Sequence, residues 1–171
     1  MIDKIKKDSP ELIVLKFALP CLAIRVLEGT LAQEQYRSYE SSCLSGKAVS
    51  RKELEELLPK EHKRRSALAK KLNSSPWDRE IVKSYWSDSR EGHNSVVNSD
   101  EDSPEHVKEF CRVHEATVVS LKNNQQFRVS YDDVNREVIG LLTPNVQPGD
   151  KVLIHKGFSI YQQINGEYYL S

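Results

Sequence analysis

Cys111 and His155 are the two side chains whose types and settings best fit metal or thiol chemistry. A thiolate is a strong soft metal ligand, and the thiol must lose its proton first. An imidazole beside it can lower the thiol pKa or fix the orientation of the sulfur. His114, three residues after Cys111, is a weaker third candidate, because i and i+3 point to opposite faces of an extended segment. Taken singly, Cys111 reads as a structural thiol and His155 as a satisfied strand-end histidine. Their setting marks them out. His155 stands in Gly149-Asp150-Lys151-Val152-Leu153-Ile154-His155-Lys156-Gly157-Phe158-Ser159-Ile160, a turn, a short apolar strand and a second glycine. Gly149 and Gly157 read as backbone requirements, one for a turn and one for close packing. Arg136 beside Glu137 reads as a solvated pair.

Short strands must position this motif. Ala116–Leu121 is rich in strand formers, and Lys122–Gln125 suits a hairpin turn, because Asn tolerates a left-handed backbone. Gln126–Tyr131 alternates apolar Phe127, Val129 and Tyr131 with polar residues, the period of a half-buried strand. Asp132-Asp133 is a second turn and Val134–Leu142 a third extended stretch. Pro148-Gly149-Asp150 turns into Lys151–His155, and Phe158–Ile164 and Tyr168–Leu170 complete the set. Strands at this spacing suggest a small closed OB-like barrel.

Residues 10–88 read as helical. Pro10 suits a first turn, and Leu12–Leu27 is dense enough in apolar residues for a buried helix that Pro20 should kink or divide. Gly29-Thr30 ends it and caps a second helix through Tyr36 and Tyr39. Ser50-Arg51-Lys52-Glu53 matches a capping box, and Pro59 stops the helix it opens. A basic helix from Lys60 to Leu72 carries Lys63, Arg64, Arg65, Lys70 and Lys71, either as a solvated face or as a docking surface. Ser75–Asp78 opens another, with Pro76 at the first helical position and Ile81, Val82, Tyr85 and Trp86 as its buried stripe. Residues 87–106 are polar and end acidic, a linker composition. The expected organisation is α+β: a helical domain over 1–88, a polar linker over 89–108, and a β-barrel domain over 109–171.

Composition narrows the role. Of 171 residues, 38% are hydrophobic and 29% charged, which suits an ordinary globular chain. The formal net charge is zero, which disfavours nucleic acid, because phosphate neutralisation supplies most nonspecific affinity. Lys16, Pro20 and Arg25 break the most apolar run, so no membrane span is expected. Lys4, Lys6 and Lys7 precede that run, but no small-residue cleavage site follows. The expected compartment is the cytoplasm. Cys21, Cys43 and Cys111 form no CxxC pair, so neither a zinc cage nor a disulfide framework is indicated. Residues 1–109 contain no nucleophile–base pair, phosphate loop or ligand motif, and no enzyme is expected.

The Gly149–Ile160 segment resembles the signature of the HypC/HupF family of [NiFe]-hydrogenase assembly chaperones. Val134-Asn135-Arg136-Glu137-Val138 is similar to that family's strand with an Arg beside an acidic residue. Cys111 stands about as far before Val118-Val119 as the family's cysteine before its first strand. Here the cysteine is internal, and Glu115-Ala116 replaces the family's Pro-Gly. The resemblance covers roughly residues 111–164.

It implies an accessory protein that binds a HypD-like iron–sulfur assembly protein and the hydrogenase large-subunit precursor. It further implies a transient iron carrying cyanide and carbon monoxide ligands, with no permanently bound cofactor. The family's roles fall on Cys111, as the iron and partner contact, and on His155 near it, with Gly149, Asp150, Gly157, Phe158 and Arg136 as supporting positions. Cys21-Leu22-Ala23-Ile24 copies the tetrapeptide that opens many members of the family, but it sits in an apolar helical segment and reads as a buried structural cysteine. The alternative reading is an OB-like binding or structural module, for oligonucleotide or protein, without the iron role.

Overall fold

A computed structural model describes residues 8–47, 49–88, 90–164 and 166–169, with 167–169 described by backbone alone. Lys4, Lys6, Lys7 and Leu170 lie outside the described residues. Among the described residues the fold is mixed α+β, with seven helices followed by a sheet. The chain divides into two compact units, a helical unit over Asp8–Arg112 and a sheet unit from Val113 onward.

The helical unit is built around α1 (Pro10–Leu27), which packs against α2 (Gln33–Ser45), α3 (Arg51–Leu57) and α5 (Arg79–Ser87). Ser9 caps α1 by accepting from the Leu12 amide at 3.2 Å, and Pro10 takes the first helical position. Every residue from Leu12 to Pro20 is buried. Pro20, expected to kink or divide the segment, lies inside one continuous helix. Its ring removes the amide that would serve the Lys16 carbonyl, and burial of the flanking apolar residues holds the helix across that gap. Gly29 ends α1 with φ +73, and Thr30 donates its amide back to the Arg25 carbonyl at 2.9 Å. Thr30 does not cap α2; Ala32 takes that position, with the Gln35 side chain accepting from its amide.

Ser50 caps α3 through the Glu53 amide at 3.2 Å, but the Glu53 carboxylate accepts from the Tyr39 hydroxyl at 3.0 Å instead of closing the box. Pro59 both ends that run and opens α4 (Pro59–Lys71). The α5 helix starts later than expected, at Arg79, because the Asp78 carboxylate caps it through the Glu80 amide at 2.9 Å. Tyr85 and Trp86 are core residues, as expected, and so is Trp77.

In place of the linker expected over 89–108, the chain forms α6 (His93–Ser99) and most of α7 (Glu105–Cys111), and the unit boundary falls at Arg112/Val113. Two contacts explain why so polar a segment orders. The His93 ring stacks on Trp86 with centroids 4.9 Å apart. Gly92 presses against the Tyr85 backbone so closely that a Cβ would stand 2.0 Å from the Tyr85 carbonyl oxygen.

The sheet unit contains β1 (Val113–Asn123), β2 (Gln126–Tyr131), β3 (Val134–Ile139), β4 (Lys151–His155), β5 (Phe158–Ile164) and β6 (Glu167–Tyr169). Their order is β3-β2-β1-β4-β5-β6, and β3 also pairs in parallel with β5, Ile139 opposite Phe158. Phe127, Val129 and Tyr131 point into a core shared with Ala116, Val118, Val138, Val146, Val152 and Ile154. The β3 strand stops before the expected Leu142, because Gly140 turns its bare backbone onto the Phe127 ring, where a Cβ would lie 2.3 Å from Cε1. No helix among the described residues is long and apolar enough to cross a membrane.

Candidate functional site

Cys111 is the last residue of α7, not the start of a strand. The Arg112 amide donates to the Lys108 carbonyl at 2.9 Å and closes the helix. Cys111 is half-buried and lines a pocket of about 330 Å³ within the helical unit. Arg64 and Lys108 bring positive charge to that pocket, Val96, Val97 and Val107 give apolar wall, and Ser99, Asp100 and Ser103 line the rest. The Ser103 hydroxyl is committed to Asp100, at 2.6 Å, and the Asp102 amide donates to the same carboxylate at 3.1 Å. These hydrogen bonds hold the Asp100 carboxyl below its ordinary range.

His155 closes β4 in the sheet unit and has no solvent exposure. Val113 stands opposite it on one side and Phe158 on the other. The two leading candidates therefore belong to different units. The imidazole is fully buried.

The rest of the motif builds backbone. Gly149 adopts φ +96 and donates its amide to the Val118 carbonyl at 2.8 Å. The Asp150 carbonyl accepts from the Val118 amide at 2.8 Å, so the turn is tied to β1 from both sides. The Asp150 carboxylate accepts from the Gln147 amide at 2.7 Å and from the Gln162 side chain at 2.8 Å. Lys156 and Gly157 both have positive φ, 45° and 81°, the pattern of a two-residue hairpin turn matched to strand twist. The Gly157 carbonyl accepts from the Ile139 amide at 2.8 Å, and Phe158 is the residue opposite Ile139. Glycine at 157 therefore serves a turn.

Two expectations about side chains change. Arg136 and Glu137 do not form a solvated pair, because neighbours on a strand face opposite ways. Glu137 accepts from Lys122 at 2.9 Å, which with Arg128 nearby keeps its carboxyl below the usual range. Arg136 lies over the Tyr131 ring, 5.7 Å from its centroid, and His114 stacks on Tyr131 at 4.2 Å. His114 is thus turned toward an aromatic ring. Cys21, expected to be buried, is half-buried on α1, and Cys43 is the buried thiol.

A polar cluster in the helical unit had no sequence signal as a group. Arg65, expected on the basic face of α4, is fully buried. Its guanidinium lies 4.1 Å from the centre of the Trp77 ring, its Nε donates to Glu61 at 2.6 Å, and its Nη1 donates to the Pro76 carbonyl. The Trp77 indole donates to Glu55 at 2.9 Å, and Arg51 lies 5.5 Å from the same ring. Trp77 at i+12 from Arg65 is the pairing a reader could have suspected, since buried Arg favours aromatic faces.

Among the described residues, no group of three or more His, Cys, Asp and Glu side chains is arranged to hold a metal ion. No family model matches the chain, and no curated protein matches it.

Proposed function

We propose that the sheet unit is a small OB-like β-barrel and that the protein is a non-enzymatic accessory protein of the HypC/HupF type, acting in the cytoplasm. In this reading it binds a HypD-like assembly protein and the hydrogenase large-subunit precursor. Its cargo is iron carrying cyanide and carbon monoxide. The observation that carries the reading is the Ile139 amide to Gly157 carbonyl bond, which joins β3 to β5 within the segment that bears the resemblance. That pairing supports a closed barrel, because it links the strand at one end of the β3-β2-β1-β4-β5 run to the strand at the other.

Cys111 is the proposed iron contact. Its partial exposure supports that role, and so do Arg64 and Lys108 on the same pocket, whose charge suits a complex bearing anionic cyanide. His155 is assigned to packing rather than to ligation, in keeping with its full burial.

A second reading, an OB-like module that has lost the iron role, draws on the position of Cys111 at the end of a packed helix. One experiment separates the two. Wild type and Cys111→Ala are co-purified with tagged HypD-like protein and large-subunit precursor, and the iron in each complex is measured. Loss of iron from the variant, with its fold intact by circular dichroism, supports the iron-carrying reading. Equal partner and iron recovery would leave the module reading.

A further inference from the structure

We propose that the outer face of α4 is a docking surface for an acidic helix of a partner protein. Lys60, Lys63, Arg64, Lys70 and Lys71 are all exposed. At 100° per residue they fall within roughly a 120° arc, and they span about 15 Å of helix axis. The opposite face, Arg65, Leu68 and Ala69, is buried. Lys60, Lys63, Lys70 and Lys71 therefore face outward, and Arg64 at the edge of the stripe also lines the Cys111 pocket and bonds Tyr85.

Charge on this face is left over. Lys71 has a carboxylate partner, Glu91 at 2.6 Å. Lys60, Lys63 and Lys70 form no ion pair among the described residues. The nearby acids are turned elsewhere: Glu61 to Arg65, and Glu55 to the Trp77 indole. Lys60 and Arg64 are like charges four apart, and such pairs weaken a helix. A carboxylate-bearing partner would relieve that repulsion.

The stripe fits an acidic helix better than a nucleic acid. The cations fall at i, i+3, i+4, i+10 and i+11, a spacing that carboxylates on one face of a partner helix can follow. A phosphate backbone carries charge continuously and would extend past the stripe. The proposal does not depend on the reading of the sheet unit.

The test uses the full chain and two labelled probes, a helical peptide with Glu at i, i+3, i+4, i+10 and i+11 and a single-stranded oligonucleotide of equal charge. Binding is followed by fluorescence anisotropy at low and moderate salt. The peptide is expected to bind, and Lys60→Glu/Lys63→Glu to weaken it roughly tenfold at low salt. Lys83→Glu/Arg90→Glu, an equal charge change elsewhere, is expected to weaken it much less. Circular dichroism verifies that both variants fold. Absence of peptide binding, equal loss in the two variants, or tighter binding of the oligonucleotide would each overturn the proposal.

Discussion

The Arg65 guanidinium lies 4.1 Å from the centre of the Trp77 ring, in a side chain with no solvent exposure. Glu61, the Pro76 carbonyl and the ring take up its charge and donors together. Removing one member of a buried ionic group leaves the others desolvated and uncompensated. Arg65→Ala should therefore lower the unfolding free energy by about 3–5 kcal/mol, read from urea denaturation followed by Trp fluorescence. Arg65→Lys retains the charge without the planar fork and should fall between that variant and wild type. A loss near zero for Arg65→Ala would mean that the guanidinium contributes nothing net.

Gly92 is required by space, since its φ is an ordinary negative one. A methyl group there would meet the Tyr85 carbonyl oxygen at 2.0 Å, and backbone cannot swing aside as a side-chain tip can. Gly92→Ala should cost about 2 kcal/mol or more and loosen α6 from α5. A scanning calorimetry trace matching wild type would contradict the close approach.

Burial pushes the Cys43 thiol up to about 12, with Lys16 pulling it down and Asp8 and Glu40 adding to the rise. In the unfolded chain the thiol titrates near its usual 9. The folded state thus holds the proton longer. The contribution of Cys43 to stability is whole below pH 9 and is lost as pH rises from about 9 toward about 12. Wild type should lose stability faster than Cys43→Ala over pH 9–11 in urea titrations. Parallel pH profiles for the two proteins would be inconsistent with the shift.

Thr143 donates its hydroxyl to the Ser159 hydroxyl at 2.7 Å, both side chains being buried. Thr143→Val leaves the Ser159 oxygen without that donor in the interior and should cost about 1–3 kcal/mol. Thr143→Val/Ser159→Ala removes both ends and should be the more stable of the two variants by thermal melting. The reverse order would show that the pair is not coupled.

Much of this architecture was legible in the residues. The alternation of Phe127, Val129 and Tyr131 gave the inward face of β2, and Pro10 and Gly29 marked both ends of α1. The helix at 93–99 was not legible, because its order rests on a ring stack with Trp86 and on a backbone approach at Gly92. Neither leaves a periodic trace. The candidate site was legible in type but not in place. The resemblance singled out Cys111 and His155, while the pattern of residues 105–111 did not reveal that Cys111 ends a helix. Likewise, Arg65 looked like its exposed neighbours on α4, and only the tertiary position of Trp77 turns it inward.

The register of β1 with β4, Val113 opposite His155, also sets an order of events during synthesis. The helical unit precedes the sheet unit in the chain, and its α1–α2 packing joins neighbours in sequence. It can assemble while β1 still lacks its partner, since β1 cannot complete its pairing until Lys151–His155 has been made. Until then the β1–β2 hairpin has an open edge. Gly149 to Phe158, made after β1, β2 and β3, are the residues that tie the turn to β1 and join β3 to β5, so the motif also acts as the latch of the sheet unit.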